Sequence, residues 1–73
     1  MTPQWRDIES TMILAEAYDA ELETIYLRFK GDREYYYESC PPHIWQAFTA
    51  PGQSRGEYFN AVLKHKPNGK WMG

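Results

Sequence analysis

One cysteine, Cys40, is the only thiol in the chain, so no intrachain disulfide can form and a reducing compartment fits best. No apolar run approaches the roughly 20 residues that cross a bilayer. The opening Met-Thr-Pro-Gln-Trp-Arg lacks the apolar segment of a secretory signal. The expected location is the cytoplasm, with no membrane partner. Soft metal ligands are equally scarce. Cys40, His43 and His65 stand alone, without Cys-x-x-Cys or His-x-x-x-His spacing, so neither a metal nor a cofactor is expected. His43 follows Cys40 closely, but no third group is placed to orient its imidazole, and a thiol between a strand and a proline reads as core packing. An enzyme is therefore not expected. Internal repeats and low-complexity tracts are also absent.

What the chain does have is aromatic mass. Its 73 residues make one domain at most, burying only about 60% of the unfolded surface. Three Trp, three Phe and six Tyr supply the large buried areas that so short a chain needs. Charge is distributed unevenly. Residues 1–27 carry one base, Arg6, against six acids, whereas residues 28–73 carry seven bases against four acids. Such a bipolar chain can present a basic face despite its net charge of -2. The carboxylate pairs Glu21/Glu23 and Glu34/Glu38 fall on solvent-facing positions and read as surface charges.

Residues 1–9 show no periodicity and read as a flexible tail, with Trp5 tucked against the core. Thr11–Tyr18 reads as a first strand, joined by a short connection to Thr24–Phe29, where Ile25, Leu27 and Phe29 alternate strictly with Tyr26, Arg28 and Lys30. Gly31-Asp32 marks the next turn. A three-residue loop, Lys30-Gly31-Asp32, sets Leu27 opposite Tyr35, Ile25 opposite Tyr37, Tyr26 opposite Tyr36 and Arg28 opposite Glu34. This register gathers apolar side chains on one face and pairs opposite charges, leaving Tyr26 and Tyr36 outward.

Pro41-Pro42 ends the sheet and suits a helix start, with Ser39 or Cys40 at the cap. Ile44, Trp45 and Phe48 predict a short helix over 42–49. After Ala50-Pro51-Gly52-Gln53, Ser54-Arg55-Gly56-Glu57 matches a capping box that opens a second helix running to about His65. Residues 67–73 read as a C-terminal tail with Trp71 docked. The expected fold is α+β: a three-stranded antiparallel β-meander followed by two short α-helices packed on one face.

In order and spacing, several short motifs resemble those of the KTSC domain family. They are Ser10-Thr11-Met12-Ile13, Tyr18-Asp19, the Ile25/Leu27/Phe29 alternation, Tyr35-x-Tyr37, Cys40-Pro41 and Ser54-x-Gly56-x-Tyr58-Phe59-Asn60. The likeness runs from Ser10 to Lys66, so a domain over residues 10–66 is expected. Cys40 stands where the family usually has valine, and the linker before the second helix is about one residue longer than usual. The resemblance implies no established activity. It adds only a suggestion of RNA binding, from the family's occurrence at the C-terminus of some lysyl-tRNA synthetases.

RNA is accordingly the leading expected ligand. Ser54, Arg55 and Gly56 bring free amides and a guanidinium to the start of the second helix. Asn60 lies in the same family-like motif, Lys64 extends the positive charge, and outward Tyr26 and Tyr36 are placed to stack bases. The alternative is a protein-interaction module using an exposed sheet face or edge. A monomer or weak homodimer is expected.

Overall fold

A computed structural model describes residues 2–73. Five antiparallel strands pair in chain order: β1 (Arg6–Asp7), β2 (Ile13–Asp19), β3 (Thr24–Phe29), β4 (Arg33–Tyr37) and β5 (Asn68–Lys70). Two helices, α1 (Pro42–Phe48) and α2 (Arg55–Ala61), and a 3-10 turn over Leu63–His65 are inserted between β4 and β5. The expected α+β class and antiparallel sheet are present, but the sheet has five strands where the sequence suggested three. The two additional strands come from the segments read as tails. Arg6 pairs with Glu16 and Asp7 with Ala15, while Lys70, Gly69 and Asn68 pair with Tyr35, Tyr36 and Tyr37. Strands of two and three residues are too short to show alternation. They form because the meander offers unpaired backbone on both edges.

The β3–β4 register is the one the three-residue loop requires: Ile25, Tyr26, Leu27, Arg28 and Phe29 face Tyr37, Tyr36, Tyr35, Glu34 and Arg33. Gly31 and Asp32 turn the chain with φ of 86° and 58°, a left-handed conformation that Gly and Asp tolerate best. Strand β2 is less regular. A bulge between Ile13 and Ala15 leaves Leu14 unpaired, with Ile13 opposite Phe29 and Glu16 opposite Leu27. Simple alternation would send Ile13 and Glu16 to opposite faces. The extra residue turns both toward the helices.

The helix side holds the core: Ile13, Ile25, Leu27, Tyr37, Cys40, Phe48 and Leu63. Burial and the neighbouring Tyr35 push the Tyr37 phenol up to about 12. The Cys40 thiol is fully buried and also raised, chiefly by burial, which matches a packing role. Helix α1 is capped at Pro41 without a side-chain bond, not at Ser39 or Cys40 as expected. Ser39 takes a left-handed φ of 60°, and the Cys40 amide donates to the Glu23 carbonyl at 2.8 Å, tying Cys40 to the β2–β3 turn. Helix α2 stops at Ala61, short of the expected His65. The backbone tightens into the 3-10 turn, which buries Leu63 completely.

Candidate functional site

Serine 54 caps α2 as its sequence predicts, its Oγ accepting the Glu57 amide at 3.2 Å. Arg55 follows, yet its guanidinium turns back onto β2. Its Nε donates to Glu16 Oε1 at 2.7 Å and its Nη2 to Glu16 Oε2 at 3.0 Å. Arg6 approaches the same carboxylate from β1, with Nε 3.1 Å from Oε2 and Nη2 also bonded. The Glu16 side chain is wholly buried, whereas the side chains of Arg55 and Arg6 are 20% and 60% exposed. Burial alone would raise the Glu16 carboxyl. The hydrogen bonds and charges of Arg55 and Arg6 outweigh it and hold the group below its ordinary range. Aromatic rings floor the cluster, with Arg55 over Phe48 at 5.4 Å and Arg6 over Trp45 at 5.6 Å.

Of the residues proposed for nucleic-acid contact, Arg55 is thus committed to Glu16 and cannot anchor a basic strip running to Lys64. Lys64 itself is exposed on the 3-10 turn. Gly56 lies beside Met12, where an added Cβ would make an ordinary 3.6 Å contact with Sδ. The exposed Asn60 donates its side-chain amide to the Gly56 carbonyl at 3.0 Å. Tyr26 departs furthest from expectation. It points away from the helices as expected, but it is only 5% exposed. Trp71 and Trp5 pack edge-on against its ring, with centroids 4.9 and 6.5 Å away. A base cannot stack on a ring so covered.

Tyr36, next to Tyr26 across the strands, stays half-buried. It lies over Gly69, where an added Cβ would come 2.6 Å from its Oη. Only glycine permits that approach. Arg28 bonds Glu34 across the strands at 2.7 Å and sits 4.6 Å from the Trp5 ring. The sheet therefore has a second, smaller aromatic layer on the side away from the helices: Trp5, Tyr26, Tyr36 and Trp71, with an internally neutralised Arg28–Glu34 pair. Glu16, Trp5, Trp71 and the Arg28 contact were not singled out by the sequence reading as parts of a site. Glu16 between two alanines in a mostly apolar strand, and a tryptophan in each flanking segment, are the available signals.

The KTSC domain model matches residues 9–66. The chain belongs to the KTSC domain family. It is 33% identical over 57 residues to a protein of Tsukamurella paurometabola, covering 78% of this chain and 84% of that one. It is 30% identical over 64 residues to an uncharacterized protein of Stutzerimonas stutzeri, covering 88% and 89%. The crystal structure of a KTSC domain protein from Yersinia pestis superposes with a TM-score of 0.86 at 25% identity, over 96% of this chain and 99% of that one. That coverage reaches beyond the family match on both sides, into the flanks that carry Trp5 and Trp71. Among the described residues, no helix of this KTSC domain is long and apolar enough to cross a membrane.

Proposed function

We propose that this KTSC domain is a non-catalytic protein-interaction module whose contact surface is the sheet face away from the helices. The supporting observation is the aromatic layer itself. Trp5, Tyr36 and Trp71 remain half-exposed around the covered Tyr26, and the neighbouring Met72 is 83% exposed. Tryptophan, tyrosine and arginine are the side chains that dominate protein interfaces. Among the described residues the only ion pair on this face, Arg28–Glu34, is neutral as a unit, which suits a protein surface better than a polyanion.

RNA contact is the second reading. It retains the exposed Lys64, His65 and Lys70, but Arg55 is spent on Glu16 and Tyr26 is covered. The two readings differ in salt dependence and in the residues that matter. A protein partner captured from nuclease-treated lysate should be retained at high salt and lost with Tyr36→Ala and Trp71→Ala, both first checked for folding by circular dichroism. Labelled RNA that binds with a steep salt dependence, and that is released by Lys64→Ala while Tyr36→Ala has no effect, would replace the protein reading with the RNA one.

A further inference from the structure

Strand β2 is flanked by β3 from Ile13 to Asp19, but β1 covers only part of its other edge. The β1 ladder pairs Asp7 with Ala15 and Arg6 with Glu16, and the Ile8 amide extends it to the Leu14 carbonyl at 3.0 Å. Bonded pairs alternate along an antiparallel ladder, so the amide and carbonyl of Tyr18 are the next to face this edge. The same alignment sets Gln4 opposite Tyr18. Gln4 lies outside the strand, however, and makes no backbone bond to Tyr18.

Two clefts open along this uncovered end, and Gln4 and Tyr18 border both. The one toward the helices, about 280 Å³, is lined by Arg6, Glu16, Ala17 and Trp45. The one on the opposite face, about 370 Å³, is lined by Pro3, Asp19 and Tyr26. An open edge with a cleft on each face is what β-strand addition uses. Main-chain hydrogen bonds hold the incoming strand, and its alternate side chains fill the pockets on either side. The chain's own first residues follow this pattern in part. Arg6 turns to the helix side and bonds the buried Glu16 carboxylate, while Trp5 turns to the other face, edge-on to Tyr26 and beneath Arg28. Gln4 and Pro3, next in the alternation, border the two clefts but leave them unfilled.

We propose that the β2 edge docks an extended peptide segment of a partner protein, and that residues 2–7 are a placeholder which this segment displaces. The segment carries an aromatic residue followed by arginine, as Trp5-Arg6 does, so that Tyr26 and Glu16 keep the partners they have now. Before that pair it has a bulky aliphatic residue in place of Gln4, for the cleft beside Trp45, and a β-branched residue in place of Pro3, for the opposite cleft. Being tethered, residues 2–7 compete at an effective concentration on the order of millimolar, and weakening their hold favours the incoming strand. The site is an edge rather than the outer sheet face, so this inference does not rest on the proposed function.

The probe is a synthetic peptide of residues 2–9 carrying Pro3→Val and Gln4→Leu, titrated into the isotope-labelled full chain and followed by amide NMR. Saturable shifts are expected at residues 15–19, together with movement of the chain's own Trp5 and Arg6 amides to the positions of an unstructured segment. Trp5→Ala in the chain, checked for folding by circular dichroism, should tighten binding about fivefold by weakening the placeholder. Arg6→Ala in the peptide should weaken it about tenfold, because Glu16 loses a charge-assisted partner. Tyr36→Ala in the chain should leave it unchanged, which separates this edge from the sheet face. The inference is overturned by the absence of saturable shifts at millimolar peptide with the unaltered chain and with Trp5→Ala, by equal binding of the Arg6→Ala peptide, or by loss of binding with Tyr36→Ala.

Discussion

Glu16 lies on the helix side of β2, sealed from solvent, with one guanidinium from β1 and another from α2 on its carboxylate. Taking a carboxylate out of water is costly, and two flanking arginines are what make it tolerable here. Removing one of them should therefore cost more than the pair itself contributes. Arg55→Ala is expected to destabilise the fold by about 3 kcal/mol, near the lower end for a broken buried pair because Arg6 still faces the carboxylate. Replacing Glu16 and Arg55 together, as Glu16→Met with Arg55→Met, should recover most of that loss, since no buried charge is left unpaired and Arg6, 60% exposed, is hydrated instead. Urea denaturation of Arg55→Ala and of the double variant measures this directly. A second residue-scale test concerns Gly69. An alanine there would meet the Tyr36 ring and hydroxyl at 2.6 to 2.9 Å, so Gly69→Ala should lower the urea midpoint and displace Tyr36, visible as altered near-ultraviolet circular dichroism.

The outer strands matter at the scale of elements. β1 and β5 are very short, but each delivers a tryptophan to Tyr26 and a hydrogen-bonded edge to the meander. The Trp71 amide continues the β5 ladder by donating to the Glu34 carbonyl at 2.8 Å. The Glu38 amide bonds the Pro67 carbonyl at 2.8 Å. Trp71→Ala should cost about 2 kcal/mol, less than the roughly 3–5 of a fully buried tryptophan because Trp71 is half-exposed. A chain ending at Lys66 should lose more, since β5 and the ring go together. Hydrogen exchange at Tyr36 and Glu38, whose amides face β5, should then accelerate, whereas β2–β3 amides change least. This division follows from burial: the central strands hold Ile13, Ile25 and Leu27 at full burial, and the flanks do not.

For the whole molecule, stability should fall at both ends of the pH scale. Glu16 titrates below its ordinary value. Its contribution is complete above the unfolded carboxyl range, near pH 4–5, and is lost as pH falls through the lowered folded value. Tyr37 behaves in the opposite sense. Its phenol is raised to about 12, so folding is fully favoured below the unfolded value near 10 and weakens as pH rises toward 12. Urea midpoints measured across pH should show an acid decline that the Glu16→Met/Arg55→Met double variant flattens, and an alkaline decline that Tyr37→Phe flattens. The charge asymmetry also acquires a location. In a meander, successive turns lie at opposite ends, so Asp19, Glu21 and Glu23 crowd the β2–β3 end while Lys30 and Arg33 flank the β3–β4 end.

Much of this structure was legible in the residues because it depends on neighbours in sequence. The alternation of Ile25, Leu27 and Phe29, the length of the Lys30–Asp32 loop and the Ser54 cap are local, and they determined the β3–β4 register, the inward Tyr37 and the start of α2. Family membership was legible for the same reason, through ordered short motifs. The remainder required the chain to meet itself. A two-residue strand has no period to read. The bulge at Leu14 reverses which face Glu16 occupies, and nothing around Arg55 announces a carboxylate 39 positions earlier. Tertiary packing alone therefore decided that the sheet has five strands, that Arg55 is held inward and that Tyr26 is roofed by two tryptophans. These contacts are between residues far apart in the chain, and local propensity carries no information about them.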